Sequence, residues 1–208
     1  LLLQGFYLNY MVMEHRLASE VSLFPGVFYV LTCSLLPSFH YLSPVLMGNT
    51  FFLIVMGEVF ATYKNNRAAD RIFNIGFWSG VGFLFYPSFL LLLLFGFSGL
   101  NILRAFKVRE RLMAITGLFV PVFLTGAWAF WNGWYPAYLQ MLSDSFEWLS
   151  YVAAAPVRVY RDLGIMSALV LVVLFSHRSY MLKQNIEVQR KINIVYWGLI
   201  IFTLSLIF

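Results

Sequence analysis

Glu58 is the residue best placed to do chemistry inside a membrane, because it is the one acid within a long apolar run. An ionisable group in such a run is costly to bury, and it often carries a proton or contacts a substrate. Glu58 also lies six residues before Lys64, where a basic loop begins. It could equally pair with a Lys or Arg of that loop, or be neutral and hydrogen-bonded, so a functional role and a structural role both stay open.

A second group of polar residues falls in segments that we assign below to one side of the membrane. A carboxylate there could act as a general base, and an arginine could bind a phosphate through two hydrogen bonds. A transferase with a lipid-phosphate sugar donor would need this combination, but a solvated interfacial loop has the same composition. The group consists of His40, Asp144, Glu147, Arg158, Arg161 and Asp162.

The densest charged cluster lies between residues 104 and 111. One interpretation is an anchor that contacts anionic lipid headgroups and fixes the topology. The other is a docking site for a cytoplasmic partner. The docking candidates are Arg104, Lys107, Arg109, Glu110 and Arg111.

The other residues that could do chemistry favour neither a metal nor a cofactor. The three histidines are scattered and Cys33 is the only cysteine, so no metal-ligand spacing and no disulfide framework is expected. The sequence has no P-loop, GxGxxG, GxSxG or HExxH motif. We therefore expect no cofactor, and the sequence assigns no catalytic residue.

Composition indicates an integral membrane protein. The 208 residues are 61% hydrophobic and 11% charged, with a mean hydropathy of +0.79, whereas soluble domains are about 25% charged. The net charge of +5 comes from short basic clusters between apolar runs, which is typical of topology signals. Binding to nucleic acid is therefore not expected.

The apolar runs predict an all-α, polytopic transmembrane helical bundle with about eight membrane segments, several of them shorter than the roughly 20 residues of an upright span. We expect one domain over residues 1–208. Leu1 and Phe208 lie within apolar runs, so we expect the chain to be cut from a longer protein at both ends. The segments are one that ends near residue 13, then 21–38, 43–63, 72–86, 88–103, 112–131, 162–176 and 192–208.

Alternate crossing by these segments sorts the basic residues strongly. Only Arg158 and Arg161 fall on one side, and by the positive-inside rule the other side is cytoplasmic. The cytoplasmic set holds the remaining 12 of the 14 Lys and Arg residues: Arg16, Lys64, Arg67, Arg71, Arg104, Lys107, Arg109, Arg111, Arg178, Lys183, Arg190 and Lys191.

Two local patterns refine this topology. Residues 72–103 are few for two crossings, so we predict a tight or partly re-entrant helical hairpin that turns at Pro87. In residues 138–151, apolar side chains recur at three- and four-residue spacing, which predicts an amphipathic helix along the membrane surface.

Small and amide residues within the apolar runs predict helix packing. Gly76 and Gly80 form a GxxxG pair with Gly82 close by, a pattern that lets two helices approach closely. Amide side chains can form hydrogen bonds between helices. The amides in question are Asn9, Asn49, Asn74 and Asn101.

The run from Phe106 to Leu112, continuing through Gly117 to Pro121, resembles an uncharacterised family of bacterial inner-membrane proteins with a domain of unknown function. That family has a similar F-K-x-R-E-x-L and G-L-x-x-P pattern after a short apolar hairpin, although Arg111 stands where an aromatic residue is usual. The family is also weakly reminiscent of membrane glycosyltransferases that use polyprenyl-phosphate sugars. The resemblance implies a multi-pass protein of the bacterial cytoplasmic (inner) membrane, and it assigns no catalytic residues.

Two functions remain open. The first is a non-enzymatic subunit or scaffold of a cell-envelope assembly or export complex, with membrane lipids and a membrane protein as partners. The second is a glycosyltransferase-like enzyme that uses a polyprenyl-phosphate-linked donor at the external face. Whether the protein is an enzyme is left undecided. A transporter is disfavoured, because the sequence shows neither repeats nor a polar path through the membrane.

Overall fold

The computed structural model describes residues 1–18, 22–34, 41–65, 68–104, 107–144, 164 and 185–205. Within these ranges the chain forms helices and no strand. The α-helices are α1 (Leu2–Glu14), α2 (Phe24–Ser34), α3 (Pro44–Ala61), α4 (Ala69–Phe85), α5 (Leu91–Leu103), α6 (Val108–Trp131), α7 (Tyr135–Asp144) and α8 (Ile186–Ser205). The all-α prediction is therefore confirmed for this part of the chain.

Seven of the described helices overlap predicted apolar segments, although α8 begins at Ile186, six residues before the predicted segment 192–208. The predicted segment at 162–176 lies outside the described residues apart from residue 164. The amphipathic helix predicted over 138–151 corresponds to α7, which begins earlier, at Tyr135, and is described as far as Asp144. Residues 145–151 of that prediction lie outside the described part.

By length and composition, two of the described helices, α3 and α6, can cross a membrane. They have 18 and 24 residues. The apolar helices α2 and α5 have 11 and 13 residues, which at 1.5 Å per residue gives about 17 and 20 Å. A bilayer core is about 30 Å thick, so neither spans it upright.

Local sequence explains where α3 begins. The hydroxyl of Ser43 accepts a hydrogen bond from the backbone N–H of Leu46 at 3.2 Å, and Pro44 occupies the first helical position. A serine N-cap followed by proline strongly favours a helix start. The serine hydroxyl accepts from one backbone N–H that has no partner within the helix, and proline has no N–H to satisfy. The polar residues of α3 are thereby fixed in register.

Helices α4 and α5 form the hairpin that the sequence predicts. A short 3-10 turn, Pro87–Leu90, joins them. Gly82 lies against Leu92, and Gly96 further along α5 lies against Ile75, so α5 runs back along α4. The hairpin places the end of α5 beside the start of α4.

Helices α4 and α6 approach each other backbone to backbone. A Cβ atom added at Gly76 would lie 1.8 Å from the carbonyl oxygen of Ala114, and one at Gly117 would lie 2.4 Å from that of Phe73. At Gly80 the added atom would lie 2.5 Å from the carbonyl oxygen of Leu118. The packing role predicted for Gly76 and Gly80 is confirmed, and with Gly117 they form what we call the glycine contact.

Helices α1, α2 and α3 are joined by polar side chains. Gln4 on α1 donates to the Thr50 hydroxyl and to the Leu46 carbonyl, both at 2.8 Å. Tyr29 on α2 donates to the Gln4 amide oxygen at 3.0 Å and accepts from Asn49 at 2.6 Å. We call Gln4, Tyr29, Asn49 and Thr50 the polar cluster.

The apolar core lies among α3, α4, α5 and α8. Val59, Ile75, Phe95, Leu100 and Ile194 are fully buried there. Burying such side chains stabilises a fold in water by about 1.5–3 kcal/mol each, whereas in lipid the gain comes from close packing. This core holds the C-terminal ends of α3 and α5 next to the start of α8.

Candidate functional site

Four cationic side chains from separate segments line one pocket at an end of the helix bundle. Lys64 follows α3, Arg104 caps the end of α5, Lys107 precedes α6, and Arg190 belongs to the start of α8. Their meeting agrees with the prediction that these basic segments share one side. The basic pocket, of about 400 Å³, is lined by Thr62, Tyr63, Lys64, Asn65, Leu103, Arg104, Lys107 and Arg190.

Arg104 is the fixed element of the basic pocket. Its guanidinium donates to the carbonyl oxygens of Thr62 at 3.3 Å and Asn65 at 2.5 Å. It also forms an ion pair with Glu110 at 3.1 Å, and the Arg104 side chain is only 15% exposed. Arg104 therefore ties the turn after α3 to the start of α6, and the planar guanidinium suits this forked bonding.

Lys191 is a buried cation next to the basic pocket. Its ammonium donates to the Glu187 carboxylate at 2.7 Å and to the carbonyl oxygen of His15 at 3.2 Å, and it lies 5.6 Å from the centre of the Tyr63 ring. A buried charge is tolerated only when it is paired and hydrogen-bonded. Lys191 thus joins the end of α1 to the start of α8.

The electrostatics around Lys191 shift two neighbouring groups that lie outside the apolar segments. The hydrogen bond from Lys191 lowers the pKa of Glu187. Burial, and then the charge of Lys191, lower the pKa of His15 from its ordinary value. At neutral pH this end of the molecule therefore combines an ionised Glu187 with an uncharged His15.

Glu58 is held between two side chains of α4. Its carboxylate forms an ion pair with Arg71 at 3.1 Å and accepts from the Asn74 amide at 3.4 Å. The Glu58 side chain is 13% exposed and that of Arg71 is 50% exposed. This is the arrangement that the structural interpretation of Glu58 requires, and it joins α3 to α4.

The five docking candidates divide into two sets. Arg104 and Glu110 pair with each other, and Arg111 donates to Asn101 and lies over the Phe97 ring, 5.5 Å from its centre. Lys107 and Arg109 are exposed. Of the predicted docking surface, these two residues are the ones directed outward, and docking itself stays a prediction.

The candidate external site falls almost wholly outside the described part of the chain. His40, Glu147, Arg158 and Arg161 lie there, as does Asp162. Asp144 is the last residue of α7. The external-site hypothesis therefore stays a prediction.

The asparagines predicted to pack form several bonds between helices. Asn49 donates to Tyr29, Asn74 donates to Glu58, and Asn101 accepts from Arg111. Asn9 is 3% exposed, and its amide oxygen has no hydrogen-bond partner among the described residues. The prediction is confirmed for the first three residues.

Sequence reasoning missed Gln4, Lys191 and the joint position of Lys64 and Arg190. Gln4 could have been found from the sequence, since it is an amide side chain within an apolar run. Charge alternation puts Lys64, Arg190 and Lys191 in one group, and the structure places them close to one another. Charge alternation places residues on a side of the membrane, but it cannot tell which of them meet.

Comparisons of the chain with protein-family models, with curated proteins and with solved structures found no match.

Proposed function

We propose that this chain is a multi-pass helical protein of the bacterial inner membrane that serves as a non-enzymatic subunit or scaffold of a cell-envelope assembly or export complex. About eight segments would cross or enter the membrane. The end that carries the basic pocket would face the cytoplasm, in keeping with the positive-inside rule.

The observation that carries this proposal is the bonding of Glu58. An acid that moved a proton or bound a substrate would need access to it, whereas Glu58 is occupied by Arg71 and Asn74. Arg104 and Lys191 are occupied in the same way by contacts between helices. These polar groups are used for assembly of the bundle, as a scaffold requires.

The outer surface of α6 also supports a membrane partner. Only 28% of its most apolar stretch is buried. Large side chains along it are exposed by more than half, as in Phe123 at 72% and Trp128 at 69%. Such a surface suits lipid chains or a neighbouring helix, and the exposed Arg109 at the start of the same helix would give the partner a polar contact.

The test is native mass spectrometry of the full-length protein after gentle extraction from its own membrane. A stoichiometric protein partner is expected, and Arg109→Glu should reduce its amount because the charge at the docking surface is reversed. Arg16→Glu is the matched control, since Arg16 is also exposed but lies just after the end of α1. A bound polyprenyl-phosphate lipid without any protein partner would overturn the scaffold proposal in favour of the glycosyltransferase-like enzyme.

A further inference from the structure

The basic pocket gathers more positive charge than its acidic neighbours compensate. Of the lining residues that the structure describes, four are Lys or Arg and none is Asp or Glu. Like charges that share a partly enclosed space repel each other and attract a counter-ion. The composition of the lining therefore favours an anionic ligand.

The nearby carboxylates are already paired with other groups. Glu110 pairs with Arg104, and Glu187 pairs with Lys191. Among the described residues, no ion pair is formed by Lys64, Lys107 or Arg190. Three cations of the pocket therefore remain available to a ligand from outside.

Parts of the pocket are held in place before any ligand arrives. Arg104 is fixed by two backbone carbonyls and Glu110, so its position costs little further side-chain entropy on binding. Lys107 occupies the N-cap position of α6, which has no side-chain cap. A lysine cannot accept hydrogen bonds, so the first N–H groups of α6 add a second attraction for an anion beside the cations.

The other walls of the pocket suit a ligand with an apolar part. Tyr63 and Leu103 contribute a ring and a buried aliphatic side chain next to the cations. A volume of about 400 Å³ lies within the usual range for small-molecule pockets. The pocket can therefore hold a group that has a charged head and an apolar attachment.

We propose that the basic pocket binds a phosphate group, carried either by an anionic phospholipid or by a small soluble phosphate compound. The phosphate would lie among Lys64, Lys107 and Arg190, with Arg104 behind them. Lys and Arg are the side chains that bind phosphate oxygens most strongly. Lys107 belongs both to the pocket and to the predicted docking surface, but the scaffold proposal is tested at Arg109, which does not line the pocket, so the two proposals can fail separately.

The test compares two double variants of the purified full-length protein that remove the same charge. Lys64→Gln with Arg190→Gln changes the pocket, and Arg16→Gln with Arg109→Gln changes exposed cations outside it. Binding is measured with phosphatidylglycerol in nanodiscs, with phosphatidylcholine as the neutral lipid. The pocket variant should bind phosphatidylglycerol about tenfold more weakly than the wild type, and the control less than about threefold more weakly.

Inorganic pyrophosphate distinguishes the two sources of phosphate. If it raises the thermal unfolding temperature of the wild type but not of the pocket variant, the natural ligand is a soluble phosphate compound. If the two variants differ only in their binding of phosphatidylglycerol, the ligand is a lipid headgroup.

Equal weakening of phosphatidylglycerol binding in both variants, or no effect of either probe, would overturn the proposal. Circular dichroism of each variant verifies that its helices are intact. Partner capture by the wild type is a separate readout, so the scaffold proposal can fail without this one.

Discussion

The glycine contact and the polar cluster hold helices together in opposite ways. At the glycine contact, α4 and α6 meet through backbone atoms, with Gly76 against the carbonyl of Ala114. At the polar cluster, hydrogen bonds between side chains join α1, α2 and α3, with Gln4 bonded to Tyr29 and Thr50. Helices α1 and α2 also approach closely there, since a Cβ atom added at Gly26 would lie 2.6 Å from the carbonyl oxygen of Gly5. The glycine contact depends on the absence of side-chain atoms, whereas the hydrogen bonds of the polar cluster depend on particular polar atoms.

Each contact should therefore respond to a different kind of substitution. Because lipid offers no hydrophobic drive between helices, both close packing and hydrogen bonding can carry association in a membrane. Added volume should damage the glycine contact, and loss of a polar group should damage the polar cluster. The following predictions test that distinction, with stability measured as the free energy of unfolding in mixed detergent micelles.

The largest effect is expected for Gly76→Ala. The added methyl group would lie 1.8 Å from a carbonyl oxygen, so α4 and α6 must separate and lose packing, at a cost of about 3 kcal/mol or more. Gly126→Ala on α6 is the matched control, because its methyl group would meet only the Tyr138 ring, at 3.2 Å. The control should lose less than about 1 kcal/mol, and equal losses would show that the helices adapt to added volume.

Gln4→Leu should be the next largest, with a loss of about 2 kcal/mol. The substitution keeps a side chain of similar size, but it removes the oxygen that accepts from the Tyr29 hydroxyl and the N–H that donates to Thr50. Gln140→Leu on the exposed side of α7 makes the same chemical change without a buried network. If both variants have wild-type stability, hydrogen bonding does not hold α1 to its neighbours.

The sequence predicts the glycine contact better than the polar cluster. Gly76 and Gly80 are four residues apart, so helical geometry alone puts them on one face. The partner residue Gly117 lies on a different helix, and no pattern in the sequence couples it to Gly76. The sequence therefore predicts the α4 side of the glycine contact but not the α6 side.

The polar cluster and the basic pocket were beyond sequence reasoning for a related reason. Gln4 and Asn49 each stand out as amides in apolar runs, but their joint partner Tyr29 is one of 12 tyrosines. Lys64 and Arg190 lie far apart in the chain and meet only because α3 and α8 pack on α5. Helix positions and charge sidedness follow from local sequence, whereas contacts between distant helices depend on packing.

A substitution just after the end of α1 should change backbone strain without altering the glycine contact or the polar cluster. Arg16 has φ of 50°, a left-handed conformation that costs a non-glycine residue about 1 kcal/mol. Arg16→Gly should therefore raise the free energy of unfolding by up to about 1 kcal/mol. Ala18→Gly is the control and should give no gain, since Ala18 is not among the residues with positive φ. An equal change in both variants would rule out strain at Arg16.

The smallest effect is expected for the ion pair that joins α3 to α4 between the two contacts. Arg71 is half exposed and Glu58 is nearly buried, so solvent weakens their attraction and a coupling energy of about 0.5 kcal/mol is expected. A double-mutant cycle of Glu58→Gln and Arg71→Gln measures it. The matched cycle uses Asp70→Asn, which changes the exposed acid next to Arg71, and should give no coupling. A value of zero for Glu58 as well would mean that its carboxylate is not held by Arg71. The functional interpretation of this acid would then be favoured, because Asn74, at 3.4 Å, would be the remaining partner described for Glu58, and a nearly buried acid that is weakly held is the kind that carries protons or binds substrates.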